Sequence, residues 1–365
     1  MTKILALIDG SPYAQSVCDH VAWIAGRTEA SVDLLHVIGR RDTATEPVNL
    51  SGNIGLGART ALLEELAELD ARKAKVAHTR GRLLLDGGKD LLQAAGVKQI
   101  DTKLRNGDLV DTVQELQSGA DLIVIGKRGE GADFAKGHLG SNLERVVRST
   151  HKAIVIASRA FKPIEKVLIA FDGGATALKA IDQVARNPIL AGLACKLVMA
   201  GPETPDNRRK IEDAAIILKG AGFTVETEIG QGEPTTVISE TIEREKFDLL
   251  VMGAYSHSRL RSLFLGSTTT EMIRSCKVPV VTVLAGRGGE RPSLMLAVPS
   301  PACLMTASGP EQSFRTEALK SASRPVLVIE VNRLNACKQP VCIRSANHQK
   351  RTVQYGLRQQ DSRND

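Results

Sequence analysis

One pattern is written twice in this chain, and it restricts the possible folds more than any other feature. Residues 121–129 read DLIVIGKRG and are followed by Gly140-Ser141, while residues 248–256 read DLLVMGAYS and are followed by Gly266-Ser267. Each copy is an apolar run ending in glycine, a polar loop, and Gly-Ser at the start of a helical pattern. Glycine lets a backbone approach a ligand closely, and the unpaired N–H groups at a helix start attract anions. The repeat therefore predicts two similar domains, each with a loop suited to a phosphate group.

The duplication reaches beyond these loops. Residues 4–10 match residues 167–173, and both stretches are apolar runs that end in Asp-Gly. The helical pattern of residues 141–149 matches that of residues 267–275, and a short β-branched segment follows each. A strand start, a glycine loop and a helix start that recur together indicate duplication of a whole domain.

The two copies differ in length. Asp9 and Asp121 are 112 positions apart, whereas their counterparts Asp172 and Asp248 are 76 positions apart. The first copy therefore carries 36 additional residues, which fall in its early part.

Composition limits the class of protein. Only 3% of the residues are aromatic, so the cores must be aliphatic, as in buried parallel strands. The net charge is +7, and the residues from Gly286 onward contribute +6 of it, so the repeats are nearly neutral and a nucleic-acid partner is not expected. The six cysteines show no CxxC pair and predict reduced, buried thiols. No apolar stretch is long enough to span a membrane, and we expect a cytoplasmic protein.

Strand and helix patterns alternate in the first repeat. The predicted strands are Ile4–Ile8, Val32–Val37, Ile100–Leu104, Leu122–Ile125 and Ile154–Ile156. The predicted helices are Ala14–Gly26, Thr60–Ala95, Leu109–Ser118 and Ser141–Ser149. The helix Thr60–Ala95 contains Gly81 and Gly87-Gly88, where we expect it to break or bend. Residues Arg40–Ala58 are polar and predict a long surface loop.

The second repeat follows the same alternation. Its predicted strands are Val167–Ala170, Lys196–Met199, Val225–Ile229, Leu249–Met252 and Val280–Val283. Its predicted helices are Ala175–Ala185, Pro205–Ala221, Pro234–Lys246 and Ser267–Ser275. Strands that alternate with helices predict an α/β fold with a parallel sheet and helices on both faces. We expect one domain over residues 1–160, a second over 161–285, and a poorly ordered tail over 286–365.

These motifs make the chain similar to the universal stress protein family, in its tandem two-domain form, over roughly residues 1–285. The family signature is G-x2-G-x9-G-S/T after the fourth strand. Here Gly126 and Gly129 have that spacing, but ten residues rather than nine separate Gly129 from Gly140. In the second repeat the spacing is kept, and Ser256 replaces the second glycine. The resemblance implies an adenine-nucleotide α-hydrolase-like fold, with five parallel strands in the order 3-2-1-4-5 in each domain and a nucleotide at their carboxyl ends.

The resemblance also implies a set of binding residues. Asp9 would lie near the adenine and ribose, and the alternative is that it forms an Asx turn or caps the following helix. Glycines of the loop would wrap the phosphates or simply form turns, and Lys127 and Arg128 would add positive charge or remain solvated. The implied first-repeat set is Asp9, Gly10, Gly126, Arg128, Gly129, Gly140, Ser141 and Asn142. The weaker second-repeat set is Asp172, Gly253, Gly266, Ser267 and Thr268.

Three functions remain open at this point. The first is a cytoplasmic stress-response protein that binds ATP, with or without Mg²⁺, mainly in its first domain, and that regulates rather than catalyses. The second is an interaction or scaffold protein whose degenerate pockets bind no nucleotide. The third is an enzyme of the wider α-hydrolase type. The sequence argues against it, because it contains no Walker loop, no nucleophile elbow and no cluster with the spacing of zinc ligands. The resemblance further implies that the repeats form an intramolecular pseudo-dimer through their last strands, and it allows a homo-oligomer.

Overall fold

The computed structural model describes residues 2–43, 56–130, 141–253 and 266–283. Within these residues ten strands form one sheet. The strands are β1 (Lys3–Leu7), β2 (Ser31–Ile38), β3 (Ile100–Asn106), β4 (Leu122–Gly126), β5 (Ala153–Ala157), β6 (Lys166–Ala170), β7 (Ala194–Ala200), β8 (Thr224–Gly230), β9 (Leu249–Gly253) and β10 (Val280–Val283). The helices are α1 (Ala14–Thr28), α2 (Arg40–Thr43), α3 (Leu56–Ala94), α4 (Leu109–Leu116), α5 (Ser141–Ser149), α6 (Ala175–Ala185), α7 (Pro205–Gly220), α8 (Pro234–Glu245) and α9 (Ser267–Ser275), with a 3₁₀ turn at Gln117–Gly119.

The sheet consists of two half-sheets with the same strand order. The first repeat has the order β3-β2-β1-β4-β5, and the second has β8-β7-β6-β9-β10, so the predicted order 3-2-1-4-5 is confirmed in both. All pairs inside each half are parallel. The halves meet where β5 pairs with β10 in the antiparallel direction, with Val155 opposite Val281. The last strands of the two repeats therefore join them into one continuous sheet.

Both faces of the sheet are covered by helices. Successive residues of a strand point to opposite faces, so Ile4 and Ala6 belong to one apolar cluster and Leu5 and Leu7 to the other. Helices α1, α3, α6 and α7 contribute to the first cluster, and α4, α5, α8 and α9 contribute to the second. Each cluster contains residues of both repeats, which means that the repeats share their cores as well as their sheet.

The long helix α3 corrects one sequence prediction. We expected a break at Gly81 or Gly87-Gly88, but the helix is continuous over 39 residues. A Cβ atom at position 81 would lie 2.7 Å from a methyl carbon of Leu104, and one at position 88 would lie 2.8 Å from a methyl carbon of Leu34. These two glycines therefore let the helix approach the sheet closely, and the packing gained outweighs the poor helix propensity of glycine.

The predicted loop at residues 40–58 is also partly wrong. Residues Arg40–Thr43 form the short helix α2, and α3 already begins at Leu56. The Gly39 N–H donates to the Asp42 carboxylate at 2.9 Å, which closes the first turn of α2. Residues 44–55 and the predicted tail at 286–365 lie outside the described residues.

Candidate functional site

The carboxyl ends of β1 and β4 lie side by side where the strand order reverses. In the shared register Leu7 is level with Ile125. After β1 the chain passes into α1 on one face of the sheet, while α5, the next described helix after β4, packs on the other. A crevice opens between strands whose connections diverge in this way, and such crevices are the usual ligand sites of open α/β sheets.

The Asp9 carboxylate accepts hydrogen bonds from the backbone on both sides of this crevice. Its Oδ1 accepts a hydrogen bond from the backbone N–H of Ser11 at 3.0 Å, which forms an Asx turn after β1. Its Oδ2 accepts a hydrogen bond from the backbone N–H of Glu130 at 3.1 Å, across 121 positions of sequence. Because each carboxylate oxygen holds a backbone amide, Asp9 positions the loop after β4 against the end of β1.

Two loop glycines make this close approach possible. A Cβ atom at position 129 would lie 3.0 Å from Asp9 Oδ2, and one at position 126 would lie 2.8 Å from the Cβ of Tyr13. Real Cβ atoms are essentially never found closer than 3.0 Å to another group, so a side chain at position 126 would push the loop away from α1. Gly126 and Gly129 thus keep the backbone after β4 tight against the residues that follow β1.

An ion pair that sequence reasoning did not predict lies beside Gly10. The Arg80 guanidinium group, which comes from α3, pairs with the Glu130 carboxylate. A Cβ atom at position 10 would overlap the Arg80 guanidinium and lie 2.9 Å from Glu130 Oε2. Arg80 belongs to no recognisable motif, and only the fold of the long helix brings it to the crevice.

The two basic residues of the glycine loop have different surroundings. We expected Lys127 either to add positive charge beside a phosphate or to remain solvated, but its ammonium group donates to the backbone carbonyl of Cys276 at the end of α9. Burial, the larger effect, and the nearby charge of Arg128 lower the pKa of Lys127 from its usual value. Lys127 is therefore part of the contact between the repeats. Among the described residues of the loop, Arg128 is the other basic residue, and it is partly exposed.

The helix start predicted for the first site is present. Helix α5 begins at Ser141, and the Asn142 side chain is exposed in its first turn. The first N–H groups of a helix have no partner inside the helix, and the helix dipole places partial positive charge there. Gly140 lies outside the described residues.

The second repeat reproduces part of this arrangement. The Asp172 carboxylate accepts a hydrogen bond from the backbone N–H of Gly174 at 2.9 Å, as Asp9 does from Ser11. Gly266 is the N-cap of α9, and Ser267 and Thr268 form the first turn of that helix.

The end of β9 is tied directly to the start of α9. The hydroxyl group of Thr269 donates to the backbone carbonyl of Gly253 at 3.0 Å. Residues 254–265, which include Ser256 and the counterpart of Glu130, lie outside the described residues. The predicted site residues of the second repeat that are described therefore lie at the equivalent end of the sheet.

The described parts of the chain contain neither a cluster of metal-binding side chains nor a membrane-spanning helix. Among those residues no group of three or more His, Cys, Asp or Glu side chains could hold a metal ion. No helix within the same residues is long and apolar enough to cross a membrane.

The fold and the crevice define a class of tandem α/β protein, and comparison with known proteins gives the family. The universal stress protein family profile matches residues 1–158 and 196–283. The universal stress protein Slr1230 of Synechocystis is 39% identical over 285 residues, which cover 77% of this chain and 99% of that protein. The chain therefore belongs to the universal stress protein family, as a tandem member.

Solved structures agree on the fold. A universal stress protein from Archaeoglobus fulgidus superposes with a TM-score of 0.58 at 18% identity, covering 78% of this chain and 98% of that one. A protein of unknown function from Pseudomonas aeruginosa superposes with a TM-score of 0.52, also at 18% identity, covering 81% of this chain and 95% of the other. At this identity the likeness extends to the fold alone.

Proposed function

We propose that this protein is a cytoplasmic stress-response protein that binds ATP in the crevice of its first repeat and acts as a regulator rather than as a catalyst. The observation that carries the proposal is the bond from the Glu130 N–H to Asp9 Oδ2, at 3.1 Å. That bond holds the backbone after β4 against the residues that follow β1.

The residues of the crevice fit a nucleotide. Gly126 and Gly129 have no side chain to block the backbone, and a Cβ atom at either position would press on Tyr13 or Asp9. The loop backbone and Gly140 would hold the phosphates, and Gly10 would lie under the nucleoside. Arg128 and the N–H groups of Ser141 and Asn142 would balance the phosphate charge.

When bound, ATP would place its negatively charged phosphates near these groups. Mg²⁺ would neutralise part of the phosphate charge. The chain's own contribution is to bind and orient the nucleotide. The Asp9 carboxylate already accepts two backbone N–H groups and the Glu130 carboxylate pairs with Arg80, so neither of these two acidic groups is free to act as a general base. This arrangement favours a binding protein, with the nucleotide as a regulatory signal.

One observation favours a second candidate, an interaction protein whose pockets bind no nucleotide. The Arg80–Glu130 pair lies directly over Gly10, where a nucleotide would have to displace or rearrange it. The second repeat has Ser256 at the position that corresponds to Gly129, where an added Cβ atom would lie 3.0 Å from the Asp9 carboxylate. Under this candidate the crevices would be remnants and the surface would bind protein partners.

Calorimetric titration of ATP into the full chain separates the two candidates. We expect Asp9→Ala to weaken ATP binding about tenfold or more, because the loop after β4 loses its attachment. The matched variant Asp172→Ala in the second repeat should change the affinity less than threefold. Arg128→Ala, at a partly exposed position, provides a second test without risk to the core.

Two results would contradict the proposal. If the unmodified chain bound no ATP, the interaction protein would be the better account. If Asp172→Ala weakened binding as much as Asp9→Ala, the site would not be the first-repeat crevice. The same would follow if ATP bound equally well to all three variants and to the unmodified chain.

A further inference from the structure

The long helix α3 exposes an apolar stripe. Among the described residues six large hydrophobic side chains are exposed, and five of them lie on α3, while the sixth is Ile216 on α7. Leu69, Val76 and Leu83 follow one another at intervals of seven and are 42%, 67% and 68% exposed. Residues seven apart lie within about 20° of one another around a helix, so these side chains share one face. We call Leu62, Leu66, Leu69, Val76 and Leu83 the α3 stripe.

The part of α3 that carries most of this stripe packs against little else. From Thr60 to Arg80 each residue is exposed or only partly buried, and Gly81 is the first buried position. At 1.5 Å per residue this stretch is about 30 Å long. The counterpart helix α7 has 16 residues and buries Ile211, Ala214 and Leu218 against its half-sheet. The stretch of α3 before Gly81 therefore belongs to the additional residues of the first repeat.

A helix of this kind is stabilised mainly by burying its apolar face. Helical propensity alone gives marginal stability in water, and an apolar stripe along one side normally faces a partner. The strands through which the two repeats join cannot supply that partner, because β5 and β10 already pair with each other. The stripe is thus a separate candidate surface.

The charges of α3 indicate which partner fits. Residues 60–70 contain Glu64, Glu65, Glu68 and Asp70 and no basic residue. Residues 71–83 contain Arg72, Lys73, Lys75, Arg80 and Arg82 and no acidic residue. One half of the exposed helix is therefore acidic and the other half is basic, and this holds without Arg80, which already pairs with Glu130.

A second copy of the same helix complements this pattern in only one direction. When two copies run antiparallel about a twofold axis near residues 72 and 73, the acidic half of each lies along the basic half of the other. The same axis brings Leu69 beside Val76 of the second copy and Leu62 beside its Leu83. A parallel pair in register would place like charges against each other, which is unfavourable.

We propose that the α3 stripe is a homodimer interface, in which two copies of this chain pair their long helices antiparallel around a twofold axis. Such an interface is isologous, since each copy offers the same surface, and it closes with two chains. Arg72 and Glu68 form an exposed ion pair within one helix, at 3.3 Å. This pair competes only weakly with ion pairs between the two copies, because such exposed pairs contribute little free energy. The proposal is independent of nucleotide binding.

The test is the oligomeric state of the full chain, measured by light scattering during size-exclusion chromatography from about 1 to 100 μM. We expect twice the mass of one chain for the unmodified protein. The double variant Leu69→Glu/Val76→Glu should have the mass of one chain and dimerise at least 100-fold more weakly, because four carboxylates would meet in the stripe. The matched control Ile216→Glu changes an equally exposed apolar residue, 65% exposed, outside the stripe and should remain dimeric.

A cross-linking measurement tests the direction of the helices. We expect a mixture of Leu69→Cys chains and Val76→Cys chains to form a disulfide-linked pair under mild oxidation, well above the background of the unmodified chain. Leu69→Cys chains alone should cross-link much less, because the two copies of position 69 lie apart on either side of the axis. Stronger cross-linking of Leu69→Cys alone would indicate a parallel pair and overturn the proposal.

Two other results would also overturn it. A mass of one chain throughout the concentration range would mean that another segment of this chain or a different protein covers the stripe. A dimer that survives Leu69→Glu/Val76→Glu would mean that the copies associate through another surface. Circular dichroism of each variant checks that the fold is retained, which is expected because both positions are exposed.

Discussion

The ammonium group of Lys127 donates a hydrogen bond to the backbone carbonyl of Cys276, and the two residues belong to different repeats. Lys127 follows β4 of the first repeat, and Cys276 ends α9 of the second. A cation at the end of a helix also meets the negative end of its dipole. The equivalent position in the second repeat is Ala254, which has no side-chain donor, so the contact is made in one direction only.

Removing this ammonium group should weaken the contact between the repeats. We expect Lys127→Met to lower the free energy of unfolding by about 1 kcal/mol, since the lost charge-assisted hydrogen bond is partly offset by the relief of burying a charge. The measurement is urea denaturation of the full chain. Lys277→Met is the control, because the Lys277 side chain is 86% exposed and its pair with Glu243 should contribute less than about 0.5 kcal/mol. Equal stability of Lys127→Met and the unmodified chain would contradict this role.

Two adjacent glycines of α3 should respond oppositely to alanine. We expect Gly88→Ala to destabilise the protein by about 1–3 kcal/mol, because the new methyl group would lie 2.8 Å from Leu34 and 3.0 Å from Ile8. Gly87→Ala should stabilise it by about 0.5–1 kcal/mol, because its methyl group meets nothing within 4 Å and alanine favours a helix. Thermal and urea denaturation of both variants measure the difference. A stabilising Gly88→Ala would show that α3 does not approach the sheet as described.

Glu130 should limit ATP affinity through its side chain. Its carboxylate pairs with Arg80, while its backbone N–H donates a hydrogen bond to the Asp9 carboxylate. Glu130→Gln therefore removes the negative charge but leaves the backbone hydrogen bond in place. We expect ATP to bind roughly 3- to 10-fold more tightly to Glu130→Gln, with a steeper dependence on salt, because the released guanidinium can meet a phosphate. Glu130→Asp keeps the charge and serves as the control. Unchanged or weaker binding by Glu130→Gln would indicate that Arg80 takes no part.

The buried thiols should be unreactive in the folded protein. Burial raises the pKa of Cys18 and Cys195 to about 12 from an ordinary value of 9.0, which reduces the thiolate fraction at pH 8 by about 1,000-fold. Alkylation followed by peptide mapping should therefore show both residues protected until the protein is denatured.

The same shift affects stability at high pH. The folded state keeps these protons between pH 9 and pH 12 while the unfolded state loses them, so we expect the free energy of unfolding to fall as pH rises through that window. Stability that rises over this range would contradict the burial of these thiols. Rapid alkylation of Cys18 without denaturant would do the same.

The sequence by itself determined the class of fold, because its signals are local. Short β-branched apolar runs such as Leu122–Ile125 indicate buried strands, and the matched Gly-Ser starts give the helices Ser141–Ser149 and Ser267–Ser275 with the boundaries expected. The repetition then required two half-sheets of the same order. The positions of Asp9, Gly126 and Gly129 at the carboxyl ends of neighbouring strands follow from that order.

The tertiary structure alone decided which partners these residues have. Residues Arg80 and Glu130 meet beside Gly10 because α3 is one continuous helix, and its glycines, which predict a break locally, are explained only by the sheet that packs against them. Lys127 turns to the second repeat because β5 and β10 pair and bring α9 within reach. Propensity and periodicity describe a residue and its near neighbours along the chain, whereas these contacts depend on groups tens to hundreds of residues away, which only the packed fold brings together.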